Sequence, residues 1–267
     1  MDEIHQTFRT PAVQSRTALD DAINDVAFTT GDPLSWEDLS ATATLVVTPA
    51  GVPIRTIITG RRVITTGTYA SRKAGRALPY ESMNERAFFM HSEADTNVVD
   101  YRAQPFRFEF VIDGRKRTYI VDCVRLLADG GLEIVEVKND HRALKDPDYR
   151  LKLQAVRLIC DRVGWRFRVV MKSALFEPAE TYQAILDIQS WAFTEFTSAD
   201  VFRVVDELER QGKRSLVELA TCLGERPIGI AKLKAMVVGR IVRFDLSSPL
   251  NNETSVELVD GRPEVFQ

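Results

Sequence analysis

The sequence predicts an α/β protein: a mixed sheet flanked by helices, then a helical C-terminal region closed by a β-hairpin, the order of a winged helix-turn-helix. Two observations predict the first part. Residues 79–94 repeat apolar side chains with helical period and precede three strand-like runs at 105–112, 117–127 and 132–138. A second helical pattern at 146–163 then leads to a strand at 165–171, a crossover that places a parallel neighbour beside antiparallel ones. The third observation concerns residues 177–267, where four helical patterns precede two short strand patterns. The expected division is an N-terminal extension (1–78), a core (79–176) and a helical winged-helix-like domain (177–267).

Taken in order, Thr17–Val26 has helical pattern, followed by the turn-rich Thr29–Trp36. Ala43–Thr48, Pro53–Thr59 and Arg62–Thr65 carry the β-branched content of short strands, separated by Pro49-Ala50-Gly51 and Gly60. They predict a small β-meander. Thr66–Arg76 reads as a basic loop and Pro79–Ala94 as a helix, with Met83, Ala87, Met90 and Ala94 on one face. Asn97–Gln104 reads as a connection. Asp113-Gly114 and Asp129-Gly130-Gly131 supply turns, and Gly164 ends the helix at 146–163. In the C-terminal part, Glu180–Trp191, Ala199–Arg210, Ser215–Leu223 and Ile228–Val238 read as helices, with Ser215 an N-cap and Gly224 a stop. Ile241–Leu246 and Ser255–Val259 are the closing strands.

The chemistry concentrates in Tyr119–Lys138, YIVDCVRLLADGGLEIVEVK. Strand alternation puts Leu132, Ile134, Glu136 and Lys138 on one face and Glu133, Val135 and Val137 on the other. Both faces are mostly apolar, so the strand belongs in the middle of a sheet. Charges there are costly unless paired, hydrogen-bonded or bound to a metal, and Asp122 on the preceding strand poses the same problem. Two carboxylates that converge suit a hard divalent cation such as Mg²⁺, and a lysine beside them can orient water or steady developing charge. An ordinary hairpin ion pair, Asp122 or Glu136 with Lys138, accounts for the same residues. Glu85 precedes Phe88 and Phe89 by one turn and so faces the core, with Glu81 as its rival. It could supply a third acid, or pair with Arg86 or Arg102.

Composition narrows the classes. The chain has 267 residues, 45% hydrophobic and 27% charged, which is ordinary for a globular protein. No apolar run is long enough to span a membrane. The opening MDEIHQTFRT lacks the apolar core of a signal peptide, so a cytoplasmic location is expected. Cys123, Cys160 and Cys222 show no metal-ligand spacing, and His5, His91 and His141 are too scattered for zinc. Net charge is −3, but residues 1–50 carry about −6 and residues 51–80 about +6, from Arg55, Arg61, Arg62, Arg72, Lys73 and Arg76. Such a segment either contacts phosphates or is a solvated loop.

The runs SRKAGRALPYESMNER, VVDYRAQPFRFEF and YIVDCVRLLADGGLEIVEVK together resemble the TnsA family of transposon endonucleases, within the wider PD-(D/E)xK nucleases. The resemblance covers roughly residues 60–172. It rests on a helix acid, a Tyr-x-x-Gln-Pro connection, a strand aspartate and a Glu-x-Lys strand. It implies a restriction-endonuclease-like fold. Glu85, Asp122, Glu136 and Lys138 take the catalytic positions, and Glu85, Asp122, Glu136 and the carbonyl of Val137 hold Mg²⁺, with Mn²⁺ as an alternative. Val121 stands where the wider group often has proline, and Glu136 stands where some TnsA members have glutamine. Gln104 matches a recurring family residue, and Lys152 and Gln154 are candidate auxiliary phosphate contacts.

The implied activity is hydrolysis of one strand at each end of a transposon, on double-stranded DNA, with a separate transposase subunit cutting the other strand and an AAA+ regulator licensing the cut. Within the C-terminal part, Pro227–Val238 takes the place of a recognition helix, and Lys232, Lys234, Arg240 and Arg243 are available for phosphates. That helix is dominated by apolar residues, poor material for reading bases, so docking of a protein partner is the favoured expectation. The alternatives are a stand-alone restriction, repair or phage nuclease, and a lapsed nuclease that only binds DNA or a partner.

Overall fold

The computed structural model describes residues 19, 22–23, 43–47, 53–54, 65–112 and 114–261. Among them, a four-stranded mixed sheet forms the centre, in the order β4 (Val98–Ala103), β7 (Cys123–Leu127), β8 (Leu132–Lys138), β9 (Arg166–Met171). The first three are antiparallel and β8 pairs with β9 in parallel, as the helical crossover between them requires. A second sheet joins β1 (Thr44–Val47), β5 (Phe106–Ile112) and β6 (Arg115–Ile120).

The two sheets share chain. Strand β4 runs into β5 and β6 runs into β7, so one long antiparallel pair is bent and changes sheet in the middle. The run 117–127 is therefore two strands rather than one, and the expected connection 97–104 is strand β4. Across the bend the pair stays bonded: Val121 N–H donates to Phe106 O at 3.3 Å and Gln104 N–H to Asp122 O at 3.1 Å. Gln104 adopts φ 46°, a left-handed conformation unusual for a residue with a side chain. Asp122 therefore sits at the turning point.

Helix α1 (Met83–Ala94) begins later than expected, because Pro79 and Tyr80 belong to β3 (Arg76–Tyr80). This strand pairs with β2 (Gly67–Ser71), so the expected basic loop is a hairpin. Helix α2 (Pro147–Arg162) packs its Leu153, Val156 and Cys160 against Ile134 and Val124 on one face of the central sheet. Asp146 caps its start, and Gly164, at φ 74°, follows its end. Val135 and Val137 point to the opposite face, into a core shared with α1 and the C-terminal helices.

Strand β1 pairs with β5. Pro53, Ile54 and Thr65 are not in strands, and the rest of the expected meander lies outside the described residues. Of the expected first helix, Leu19, Ala22 and Ile23 are helical, with Leu19 and Ile23 buried in the α2-side core.

After a short α3 (Lys172–Phe176) come α4 (Ala179–Gln189), α5 (Ser198–Gln211), α6 (Leu216–Thr221) and α7 (Arg226–Val238). A small sheet of β10 (Arg214–Ser215), β12 (Ser255–Leu258) and β11 (Val242–Phe244) accompanies them, in that spatial order. Ser215 and Thr197 each close a capping box. One hydrophobic core runs from Tyr69 and Phe89 through Val137 to Leu233 and Val256. Among the described residues no helix is long and apolar enough to cross a membrane.

Candidate active site

The bend decides where the charged groups meet. Past the Cys123–Val135 pair, the strand beside β8 turns away into the other sheet. The Asp122 carboxylate replaces it: Oδ2 accepts the Val137 N–H at 2.8 Å, where a strand carbonyl would otherwise stand. One residue back on β8, Glu136 is buried. Its Oε2 accepts the Tyr119 hydroxyl from β6, and its Oε1 accepts the Tyr149 hydroxyl from the first turn of α2 at 2.5 Å. Lys138 forms an ion pair with the same Oε1. Both sheets and α2 thus converge on one carboxylate.

Charge explains the titration of the group. Burial raises the Asp122 pKa well above its usual value, and the charges of Glu136 and Glu85 raise it further, against the Val137 hydrogen bond. Glu85 is raised too, by burial first, with Glu81 and Glu136 adding to it. Burial alone would lower Lys138, but the adjoining Glu136 carboxylate outweighs this and raises it. The four residues Glu85, Asp122, Glu136 and Lys138 therefore share one electrostatic neighbourhood.

Their contacts are not equivalent. Glu85 closes the start of α1: its N–H donates to Ser82 Oγ at 3.2 Å, and its carboxylate accepts from the Ser82 hydroxyl and the Glu81 N–H. It pairs with neither Arg86 nor Arg102; the latter pairs with the buried Asp100. Glu81 accepts instead from Gln104 Nε2 at 3.3 Å, so Gln104 links the bend to the start of α1 through its side chain and to Asp122 through its backbone. Lys152 stands 6.0 Å from the Tyr149 ring centroid, at the margin of the cluster, whereas Gln154 is exposed. Among the described residues no three His, Cys, Asp or Glu side chains stand close enough together to hold a metal ion.

Two tyrosines at this site had no motif to announce them. Tyr119 is signalled only by lying two residues before Val121 on the face that meets α2. Tyr149 is signalled only by its place in the first turn of the helix that covers the Glu136 face.

Other expected contacts take different roles. Arg72 donates to Ala192 O at 2.8 Å and Thr194 O at 3.0 Å, and its guanidinium lies 4.8 Å from the Phe196 ring centroid. Lys73 is buried and donates to Ser92 O at 3.0 Å and Asp95 O at 2.6 Å, at the end of α1. These two cations of the basic segment tie the fold together; Arg55, Arg61 and Arg62 lie outside the described residues. Similarly, Lys232 pairs with Asp200, Lys234 with Asp187 and Arg243 with Glu257, while Arg240 donates to Thr96 O. Most of the second half of α7 is buried, while Arg226, Pro227 and Ile228 at its start are exposed.

Comparison with known proteins gives one family. A model described as the TnsA-like endonuclease N-terminal domain matches residues 95–172, which span the bend, the β7–β8 hairpin, α2 and β9 but not Glu85. No curated protein matches the chain. Among solved structures, the crystal structure of protein VC1899 from Vibrio cholerae matches with a TM-score of 0.20 and 12% identity. The match covers 62% of this chain, and the chain spans about half (51%) of that protein's length.

Proposed function

We propose that this chain is a divalent-metal-dependent DNA endonuclease, the subunit of a heteromeric transposase that hydrolyses one strand at each transposon end. The observation that supports this reading is the meeting of Asp122, Glu136 and Lys138 at the bend shared by two sheets, within the segment that resembles a TnsA-like endonuclease domain.

The donor set fits a hard cation in kind. Asp122, Glu136 and the Val137 carbonyl would hold Mg²⁺ or Mn²⁺, all through oxygen, and Glu85 would join them only by giving up its Ser82 and Glu81 contacts. The upward pressure on Asp122 and Glu85 is the condition that a nearby cation relieves. When bound, the cation neutralises phosphoryl charge and acidifies water. The chain's own groups do the rest. The Val137 N–H fixes the Asp122 carboxylate, and Gln104 holds the bend that carries it. Lys138, kept protonated by Glu136, orients the attacking water or steadies charge that develops on the phosphate.

We read the C-terminal helices and the β10–β12–β11 sheet as a winged helix that docks a protein, the AAA+ regulator that the family resemblance implies. Internal pairing of Lys232, Lys234 and Arg243 favours this over a DNA-reading role.

The test is nicking of transposon-end DNA in a reaction reconstituted with the partner proteins and Mg²⁺. Asp122→Ala and Lys138→Ala are each expected to lose ~100-fold or more in rate with unchanged circular dichroism. Full nicking by either variant contradicts the site. Efficient cutting by the purified chain alone would instead favour a stand-alone nuclease.

A further inference from the structure

The Glu136 carboxylate poses a problem for any cation that would use it, because both of its oxygens are already engaged. The two phenols that engage it differ in how firmly they are held. Tyr119 is buried within a sheet strand, its ring 6.4 Å from that of Phe108 and nearly parallel to it. Tyr149 is only partly buried, in the first turn of a helix that follows a loop. Its ring lies 4.9 Å from Lys138 Nζ and 6.0 Å from Lys152 Nζ, so two cations flank a side chain whose hydroxyl sits on Oε1.

We propose that the two tyrosines are positioning residues of opposite effect: Tyr119 locks the Glu136 carboxylate in place through Oε2, and Tyr149 is the displaceable neutral group on Oε1, which Lys138 shares. This rests on the metal-dependent reading above and adds to it a cost of loading built into the site. A cation arriving at Glu136 exchanges for the Tyr149 hydroxyl. The Tyr149 ring remains beside Lys138, so the lysine keeps a neighbour when its carboxylate partner is shared.

The hydroxyl can be removed without the ring. Tyr149→Phe keeps the cation–ring contacts and removes the hydroxyl from Oε1 and from Lys138, which stays on that oxygen. Tyr119→Phe keeps the packing against Phe108 and deletes only the lock. A partner that orients a ligating carboxylate is worth ~10-fold or more in metal affinity. A single hydrogen bond that must be exchanged is worth ~2- to 10-fold.

The experiment is calorimetric titration of the full chain with MnCl₂, without DNA, for the wild type, Tyr119→Phe, Tyr149→Phe and Asp122→Ala, with thermal unfolding of each apo protein alongside. Ultraviolet difference absorbance on Mn²⁺ addition supplies a second readout, since displacement moves one phenol from a carboxylate to solvent. The expected result is tighter Mn²⁺ binding by Tyr149→Phe, ~2- to 10-fold, and weaker binding by Tyr119→Phe, ~10-fold. The tyrosine difference signal should be present in the wild type and lost in Tyr149→Phe. Unchanged affinity in either variant, or shifts in the same direction, overturns the proposal while leaving the metal site standing. Should Tyr119→Phe fail to fold, the Tyr149→Phe affinity and the absorbance signal decide it. Wild-type protein that takes up no Mn²⁺, or takes it up equally well as Asp122→Ala, removes the metal-dependent reading itself and the tyrosine roles with it.

Discussion

At Gln104 the backbone adopts φ 46° although the residue carries a full side chain, and its N–H holds the Asp122 carbonyl across the bend. Left-handed backbone costs an ordinary residue ~1–2 kcal/mol, a cost that glycine avoids. Gln104→Gly is therefore expected to be about 1 kcal/mol more stable than Gln104→Ala in urea denaturation, both having lost the bond to Glu81. An alanine variant as stable as the glycine one would show that the conformation is not strained. Lys73 offers a test by pH. Burial lowers its pKa to about 7 from 10.5, opposed by the charges of Glu93 and Asp95. Between those values the unfolded chain keeps a proton that the folded protein gives up, so stability should rise with pH from about 7 to 10.5. Relative to Lys73→Met, the wild type should gain at most ~1.4 kcal/mol per pH unit. Parallel profiles for the two proteins would place Lys73 in its charged form throughout.

Among the elements, the β2–β3 hairpin depends on one buried acid of α1. Glu93 accepts from Ser71 Oγ and Tyr101 Oη at 2.7 Å, and from the N–H groups of Arg72 at 2.7 Å and Lys73 at 3.1 Å. All four donate to the carboxylate, so glutamine, whose amide nitrogen can only donate, requires the Ser71 and Tyr101 hydroxyls to turn their hydrogens away and find other acceptors in the core. Glu93→Gln is expected to cost ~3 kcal/mol, read as a fall in urea midpoint with unchanged m-value; a loss under 1 kcal/mol would mean the cluster rearranges. Between α6 and α7 the constraint is steric. A Cβ on Gly229 would lie 2.2 Å from the Ala220 carbonyl oxygen, so Gly229→Ala should push the helices apart and cost ~1–3 kcal/mol. Wild-type stability in that variant would contradict the close helix approach.

These elements also show what the sequence could and could not reveal. Strand β8, helix α2 and the capped C-terminal helices were legible because their periodicity and end signals are local: Asp146, Gly164 and Ser215 each act within one turn. The hairpin was not, since Arg72, Lys73 and Gly75 look like loop chemistry until Glu93 is brought over them. Strand β4 was hidden by the buried Asp100–Arg102 ion pair, which breaks its apolar alternation. The sheet change at Val121–Asp122 carries neither proline nor glycine, and its strain falls on Gln104 in the neighbouring strand. The acids and the lysine of the candidate site were named from pattern, whereas Tyr119 and Tyr149 are recognisable only from packing.

For the whole molecule, the continuous core means that the C-terminal helices support the face of the central sheet opposite α2. Arg72 reinforces this, bridging the hairpin to the segment between α4 and α5. In the proposed metal site, oxygen donors from the bend and β8 serve one divalent cation. A crystal structure of the full chain soaked in MnCl₂, with anomalous scattering to locate the metal, tests it most directly. The expected result is a manganese peak in contact with Asp122 and Glu136, beside the Val137 carbonyl, with the Tyr149 hydroxyl moved off Oε1. Manganese bound elsewhere, or a Glu136 still held by both tyrosines at saturating metal, would contradict it.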